Sequence, residues 1–256
     1  MNPLRDALSR KSTLVGMQSF SANPVFIEIM GYAGLDWVCI DLEHAPTSIE
    51  GVGAAVEAAR ATGLISLVRV PNIDATLIGK VLDLGADGLV VPHFESREDA
   101  EAVMDAVLYP PAGNRSACSS VRSARYGLSS WLQHSQTDNE RISVVPLLES
   151  ADAFDNLDQL MDLPDLFPAF WVGGRDLAQH MGVPGADLLS PELRPLCDKL
   201  IQAAQQRSVA VMATVSPHLT KEYANDLKDV GFRLLSFGTD ETVFAKTCQS
   251  IGELST

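Results

Sequence analysis

The chain has 256 residues, of which 19 are Lys or Arg and 33 are Asp or Glu, giving a formal charge of −14. With a pI near 4.6, it lacks the overall basicity expected of a protein that grips nucleic acid or anionic lipid. A composition 46% hydrophobic and 20% charged is that of a globular protein, and about 250 residues is the usual length of one α/β barrel.

The first ten residues form a polar, helix-like run with no signal-peptide pattern. Beyond them, short apolar runs alternate with helical patterns in strict order. Strand-like runs at 14–18, 37–43, 66–70, 88–92, 142–149, 169–174, 209–215 and 234–238 lead into helical stretches at 24–33, 49–61, 75–84, 97–107, 153–161, 191–206, 220–230 and 241–251. Near-continuous apolar strands are what parallel strands covered on both faces require. Ser48 and Ser96 are start signals for two of the helices, while Gly63, Gly85 and Gly231 supply C-terminal stops. Eight such units without a linker predict one (β/α)8 TIM barrel spanning residues 1–256. No G-x-G-x-x-G or P-loop pattern follows the first strand, which removes the main support for a nucleotide-binding open sheet. The four cysteines are widely spaced and read as reduced thiols of a cytoplasmic protein. No apolar run reaches the roughly 18 residues a membrane span needs.

One connection is unusually long, an insert at about 108–141. Its stretch 110–137 carries no Asp or Glu but holds Arg115, Arg122 and Arg125, a local reversal of the overall charge. Two readings fit: a binding loop that meets an anion, or a covering helix whose arginines are solvated or paired.

In a (β/α)8 barrel the chemistry lies at the C-terminal strand ends. In order these offer Gln18, Glu43-His44, Arg69, His93, Glu149, Asp176, Ser216 and Asp240. Glu149 and Asp176 close adjacent strands, and two carboxylates with open positions suit Mg²⁺ or Mn²⁺; alternatively Asp176 caps the following helix. Arg69 ends an apolar strand, where a guanidinium needs a partner: a substrate carboxylate, or a rim acid such as Glu43. His44 suits a general base or a packing role, and Asp83 is a candidate to orient it. The lysines lie at the N-terminus or in helical patterns, none at a strand end, which argues against imine catalysis.

These residues fall in longer motifs. The run from Gly34 to Pro46, which includes Asp41-Leu42-Glu43-His44, resembles the early signature of the HpcH/HpaI family of metal-dependent pyruvate aldolases. Further matches are Val68-Arg69-Val70-Pro71, Leu82-Asp83-Leu84-Gly85-Ala86, Tyr109-Pro110-Pro111-Ala112-Gly113-Asn114-Arg115, Leu148-Glu149-Ser150, Val172-Gly173-Gly174-Arg175-Asp176-Leu177 and Phe237-Gly238-Thr239-Asp240, in family order.

The resemblance implies a (β/α)8 barrel assembled as a homo-oligomer, a hexameric trimer of dimers, with the C-terminal helix exchanged between subunits. It implies that Glu149 and Asp176 hold a divalent metal ion (Mg²⁺ or Mn²⁺, with Co²⁺ or Zn²⁺ as further candidates), and that Arg69 binds a small anionic 2-oxo acid. His44 paired with Asp83 would be the acid–base group, and backbone amides from Gly174 to Asp176 would meet the pyruvate carboxylate. Arg115 and Arg175 would be additional substrate-binding cations. The expected reaction is reversible cleavage of a 4-hydroxy-2-oxo acid to pyruvate and an aldehyde. Three departures stand out: Leu147 where the family often has Gln, Gly174 where it often has Pro, and Ser116 where it often has Gly. Leu147 removes a polar group next to the metal, and Gly174 is expected to loosen the loop carrying Asp176. Two further readings remain open on the same barrel: a citrate-forming synthase or acyl-thioester lyase, and a non-catalytic 2-oxo acid binding protein.

Overall fold

A computed structural model describes residues 2–255. Eight parallel strands close into a barrel in sequence order: β1 (Leu14–Ser19), β2 (Trp37–Asp41), β3 (Ile65–Arg69), β4 (Gly88–Val91), β5 (Ser143–Leu148), β6 (Ala169–Val172), β7 (Ala210–Thr214) and β8 (Leu234–Thr239). The helices are α1 (Pro3–Arg10), α2 (Pro24–Tyr32), α3 (Ile49–Thr62), α4 (Ala75–Asp83), α5 (Arg97–Val107), α6 (Trp131–Arg141), α7 (Ala151–Asp155), α8 (Leu157–Met161), α9 (Gly174–His180), α10 (Arg194–Gln206), α11 (Lys221–Val230) and α12 (Asp240–Gly252). The expected (β/α)8 barrel is the observed fold. Among the described residues no helix is long and apolar enough to cross a membrane.

The core has two layers, because alternate strand residues face opposite sides. Trp37, Cys39, Leu67, Val90, Val145, Leu147, Trp171 and Met212 fill the barrel interior, where the rings of Trp37 and Trp171 meet edge to face at 6.1 Å. The opposite parity packs against the helices, as with Val38, Ile40, Val68, Leu89 and Val144. Leu4 and Leu8 of α1 join the interior cluster, while Asn2 donates to the Ile142 carbonyl, so α1 closes the base of the barrel.

Local signals account for most boundaries. Ser48 caps α3, a Ser96–Asp99 capping box starts α5, and Gly63 ends α3 in the left-handed conformation. The helical pattern at 153–161 is two short helices, α7 and α8, meeting at Asn156. The run at 169–174 ends as a strand at Val172, and Gly174 opens α9, which the pattern did not mark.

The insert at 108–141 contains a 3-10 turn at Arg125–Gly127 and the helix α6. Two of the three arginines at 115, 122 and 125 are paired with acids of the chain, and Arg125 is exposed. Arg115 is buried, with 4% of its surface exposed. It bonds Asp83 at 2.8 Å and Asp138 at 2.9 Å, and its guanidinium lies over the Tyr109 ring. Arg122 pairs with Glu57. This cluster sits at the base of the barrel, because α4 and α5 run back from the strand C-termini and end at the opposite face. A nine-residue helix such as α4 is about 13 Å long, so Asp83 lies at the far end of the barrel from the strand end that carries His44. Within one chain the structure therefore brings neither Asp83 to His44 nor Arg115 to the strand-end mouth. Of the positive charge in the 110–137 segment, Arg115 is spent on Asp83 and Asp138 and Arg122 on Glu57.

Candidate active site

The same parity that fills the barrel with apolar side chains turns Asp41, Arg69 and Glu149 inward at its C-terminal mouth. Asp41 follows Trp37 and Cys39 on β2, Arg69 follows Ile65 and Leu67 on β3, and Glu149 continues the inward row of Val145 and Leu147 on β5. Asp41 and Arg69 are register partners on neighbouring strands. Arg69 Nε donates to Asp41 Oδ2, and Asp41 Oδ1 accepts the backbone N–H groups of His44 at 2.7 Å and Ala45 at 2.9 Å. One fully buried carboxylate thus anchors the arginine and shapes the turn that presents Glu43 and His44. Burial works against the Arg69 charge, but the hydrogen bond and attraction from Asp41 outweigh it and hold the guanidinium pKa above its ordinary value.

Glu43 continues the chain of contacts. Its Oε2 lies 3.1 Å from Arg69 Nη1 and its Oε1 lies 3.5 Å from His93 Nε2. His93 in turn meets Glu149 Oε1 twice, through its backbone N–H at 2.7 Å and Nδ1 at 3.0 Å. His44 is more open: its side chain is 61% exposed and its Nε2 lies 3.9 Å from Glu43 Oε2.

Glu149 is 5% exposed. Burial raises its carboxyl pKa, the amide and imidazole of His93 oppose that rise, and the charges of Asp176 and Glu43 add to it. Asp176 is near enough for its charge to act on Glu149, and the strand end that leads to it packs tightly on Glu149: a Cβ on Gly173 would fall 2.7 Å from Glu149 Cβ and 3.0 Å from Oε2, so glycine is needed at that position. Asp176 lies exposed in the first turn of α9, whose start carries no side-chain capping bond; the capping alternative is therefore not realised. Gly174 is closely packed by its neighbour, since a Cβ there would lie 2.6 Å from Leu188 Cδ2. Arg175 is exposed and makes no ion pair among the described residues.

On the other side of the barrel, strand residues of the same end include Gln18 near Ser236 and Trp171 bonded to Thr214. Leu147 fills the place below Glu149 with an apolar side chain. Asp240, the last strand-end acid, is consumed structurally: it accepts from the Ser19 and Ser21 hydroxyls and the Phe20 amide.

Among the described residues no cluster of three or more His, Cys, Asp or Glu side chains is arranged to hold a metal ion. The donor set available is the pair Glu149 and Asp176. Two carboxylates, one of them buried and raised in pKa chiefly by that burial, fit a hard divalent cation that keeps waters and takes substrate oxygens for the rest of its shell. Sequence reasoning collected His93 as a strand-end residue without giving it a part, and it missed Asp41 as the partner of Arg69. Inward parity at the last residue of β2, one strand from Arg69, was the available signal for Asp41.

The HpcH/HpaI aldolase/citrate lyase family profile matches residues 14–247. A 2-dehydro-3,6-dideoxy-6-sulfogluconate aldolase from Pseudomonas putida is 35% identical over 180 residues, 69% of each chain. A 4-hydroxy-2-oxovalerate aldolase from Novosphingobium aromaticivorans is 32% identical over 251 residues, covering 96% of this chain and 91% of the relative. Among solved structures, an HpcH/HpaI aldolase/citrate lyase family protein from Burkholderia cenocepacia J2315 superposes with a TM-score of 0.89 at 28% identity, over all of both chains. A citrate synthase shares the fold, with a TM-score of 0.84 at 24% identity over 98% of this chain and 96% of the other.

Proposed function

Because the chain belongs to the HpcH/HpaI aldolase/citrate lyase family, we propose that it is a divalent-metal-dependent aldolase that reversibly cleaves a 4-hydroxy-2-oxo acid to pyruvate and an aldehyde. The observation that carries this reading is the carboxylate pair Glu149 and Asp176 sharing one barrel mouth with an inward arginine, Arg69. The naming of the Novosphingobium relative as a 4-hydroxy-2-oxovalerate aldolase supports the same substrate class.

The protein groups divide the work. Glu149 and Asp176 would hold Mg²⁺ or Mn²⁺, which when bound supplies Lewis acidity at the substrate ketone. Arg69 spends Nε on Asp41 and Nη1 on Glu43, leaving Nη2 to donate to a 2-oxo acid oxygen in a fixed orientation. The amides from Gly174 to Asp176 face the substrate carboxylate, with Arg175 beside them. His44, the most open titratable side chain of its turn, takes the proton of the 4-hydroxyl at Nε2. The C3–C4 bond breaks, the aldehyde leaves, and C3 takes up a proton to give pyruvate. The same mouth opens to solvent through His44 and His93, where an aldehyde would enter and leave.

A pyruvate-coupled screen of 4-hydroxy-2-oxo acids tests the reading. Turnover should vanish on chelation and return with Mg²⁺ or Mn²⁺; metal-independent turnover overturns it. Arg69→Ala should lose 2-oxo acid binding, and His44→Ala should lose turnover with binding retained. Release of coenzyme A from an acyl thioester with oxaloacetate, in place of aldol cleavage, would make the enzyme a citrate-forming synthase. Pyruvate binding without any turnover would make the chain a binding protein.

We further propose a homo-oligomer built on α12. Beyond Asp240 this helix is exposed along its length, with Phe244, Ile251 and the following Leu254 open to solvent; Phe244 lies against Phe26 of α2, where Val25, Ile29 and Tyr32 are exposed as well. Light scattering should give a hexamer for the full chain, and a monomer would overturn the proposal.

A further inference from the structure

We propose that His93 is a positioning residue that locks Glu149 into presenting a single oxygen, Oε2, to the cation. The proposal rests on the reading of Glu149 and Asp176 as metal-holding groups.

Three observations converge on it. First, the backbone at His93 has φ 52°, a left-handed conformation that a residue with a Cβ adopts only where its surroundings over-determine it. That bend aims the His93 amide at Glu149. Second, amide and Nδ1 both converge on Oε1, at 2.7 and 3.0 Å. One residue thus engages this oxygen twice, by a backbone hydrogen bond and by the close approach of its ring nitrogen, while Oε2 faces the Gly173 approach with no hydrogen bond among the described residues. Third, the other face of the imidazole reaches Glu43, which holds Arg69. The contacts Asp41–Arg69–Glu43–His93–Glu149 thereby span the ends of β2, β3, β4 and β5 without a gap. The group that would bind the 2-oxo acid and the group that would bind the cation are held in one frame.

With Oε1 engaged by His93, Glu149 would act as a one-oxygen ligand. Mg²⁺ and Mn²⁺ accept such ligands in an octahedron, whereas Ca²⁺ takes six to eight oxygens and gains from a carboxylate that binds through both. His93 therefore contributes to selection against Ca²⁺ as well as to affinity. A general packing role would weaken both ions together; the clamp predicts a change in their ratio.

The test is ion binding to metal-stripped full-length protein, by calorimetry with Mn²⁺ and with Ca²⁺. His93→Gly keeps the left-handed backbone and its amide but loses the imidazole. His93→Asn tolerates that backbone and restores a side-chain donor. His93→Gly should bind Mn²⁺ about tenfold more weakly, the usual scale for losing a group that orients a metal ligand. Its preference for Mn²⁺ over Ca²⁺ should narrow, and His93→Asn should recover most of both. Wild-type affinity and selectivity in His93→Gly overturn the clamp and leave the metal site standing. Tighter Mn²⁺ binding by His93→Gly also overturns it, since the imidazole would then be occupying the cation's place. Failure of the wild type to bind either ion overturns the metal site itself.

Discussion

Asp41 is the residue whose replacement should be most revealing, because it is fully buried and serves three donors at once. In Asp41→Asn the amide oxygen can still accept from the His44 and Ala45 backbone, but the amide nitrogen then faces Arg69 Nε, donor against donor. Breaking a buried ion pair by removing one partner costs about 3–5 kcal/mol. Glu43 still holds Nη1 at 3.1 Å, so the lower end applies, about 3 kcal/mol, a large share of the 5–15 kcal/mol typical of a whole domain. Urea unfolding should show the transition midpoint falling with an unchanged slope. Because Arg69 loses the contact that aims it, the KM for the 2-oxo acid should rise more than kcat falls. A loss of under about 0.5 kcal/mol, the range of ordinary surface substitutions, together with an unchanged KM, would refute the argument that Asp41 anchors the arginine.

Two further predictions concern regions away from the mouth. Arg115→Met should destabilise the barrel by about 3 kcal/mol, the lower end for breaking a buried ion pair, since it leaves Asp83 without its cation while Arg141 still holds Asp138; at about 2–4 °C per kcal/mol, calorimetry would register it clearly, and unchanged melting would contradict a structural ion-pair role. Near the loop that packs Leu188 on Gly174, burial pulls the Asp187 carboxyl pKa up, but hydrogen bonds from His218 and the Leu189 amide outweigh this and hold it below the usual carboxylate range. A depressed carboxyl contributes stability above its unfolded pKa and loses it as pH falls through the folded value. His218→Ala should therefore cost stability near neutrality, cost none below the folded carboxyl pKa, and move the acid unfolding midpoint to higher pH; unchanged stability at neutral pH with identical acid unfolding curves would sink the pairing.

The barrel and most of its mouth were legible because the signals are local. Short, near-continuous apolar runs mark each strand, and capping residues such as Ser48 and Ser96 mark helix starts within one turn of where they act. Eight repeats of that pattern leave few ways to cover a parallel sheet on both faces. The residues at strand ends follow directly, which is why Arg69, His44, Glu149 and Asp176 could be collected before any coordinates. Helix α9 was missed because seven residues opened by two glycines carry no periodicity to read. The long insert was legible as an anomaly and not as a structure, since its buried arginine is paired with acids from α4 and α6 that lie 32 and 23 residues away.

Composition, periodicity and caps therefore determined the kind of fold and the set of groups at its mouth. Only tertiary structure decided how the charges divide among partners. Barrel register sets Asp41 beside Arg69, a left-handed turn folds His93 onto Glu149, and the return direction of α4 carries Asp83 away from His44 and onto Arg115. An acidic chain can hide a substrate-facing arginine or bury one in the base, and its formal charge is the same in both cases. The difference arises when the eighth strand closes on the first and the long-range neighbours are set.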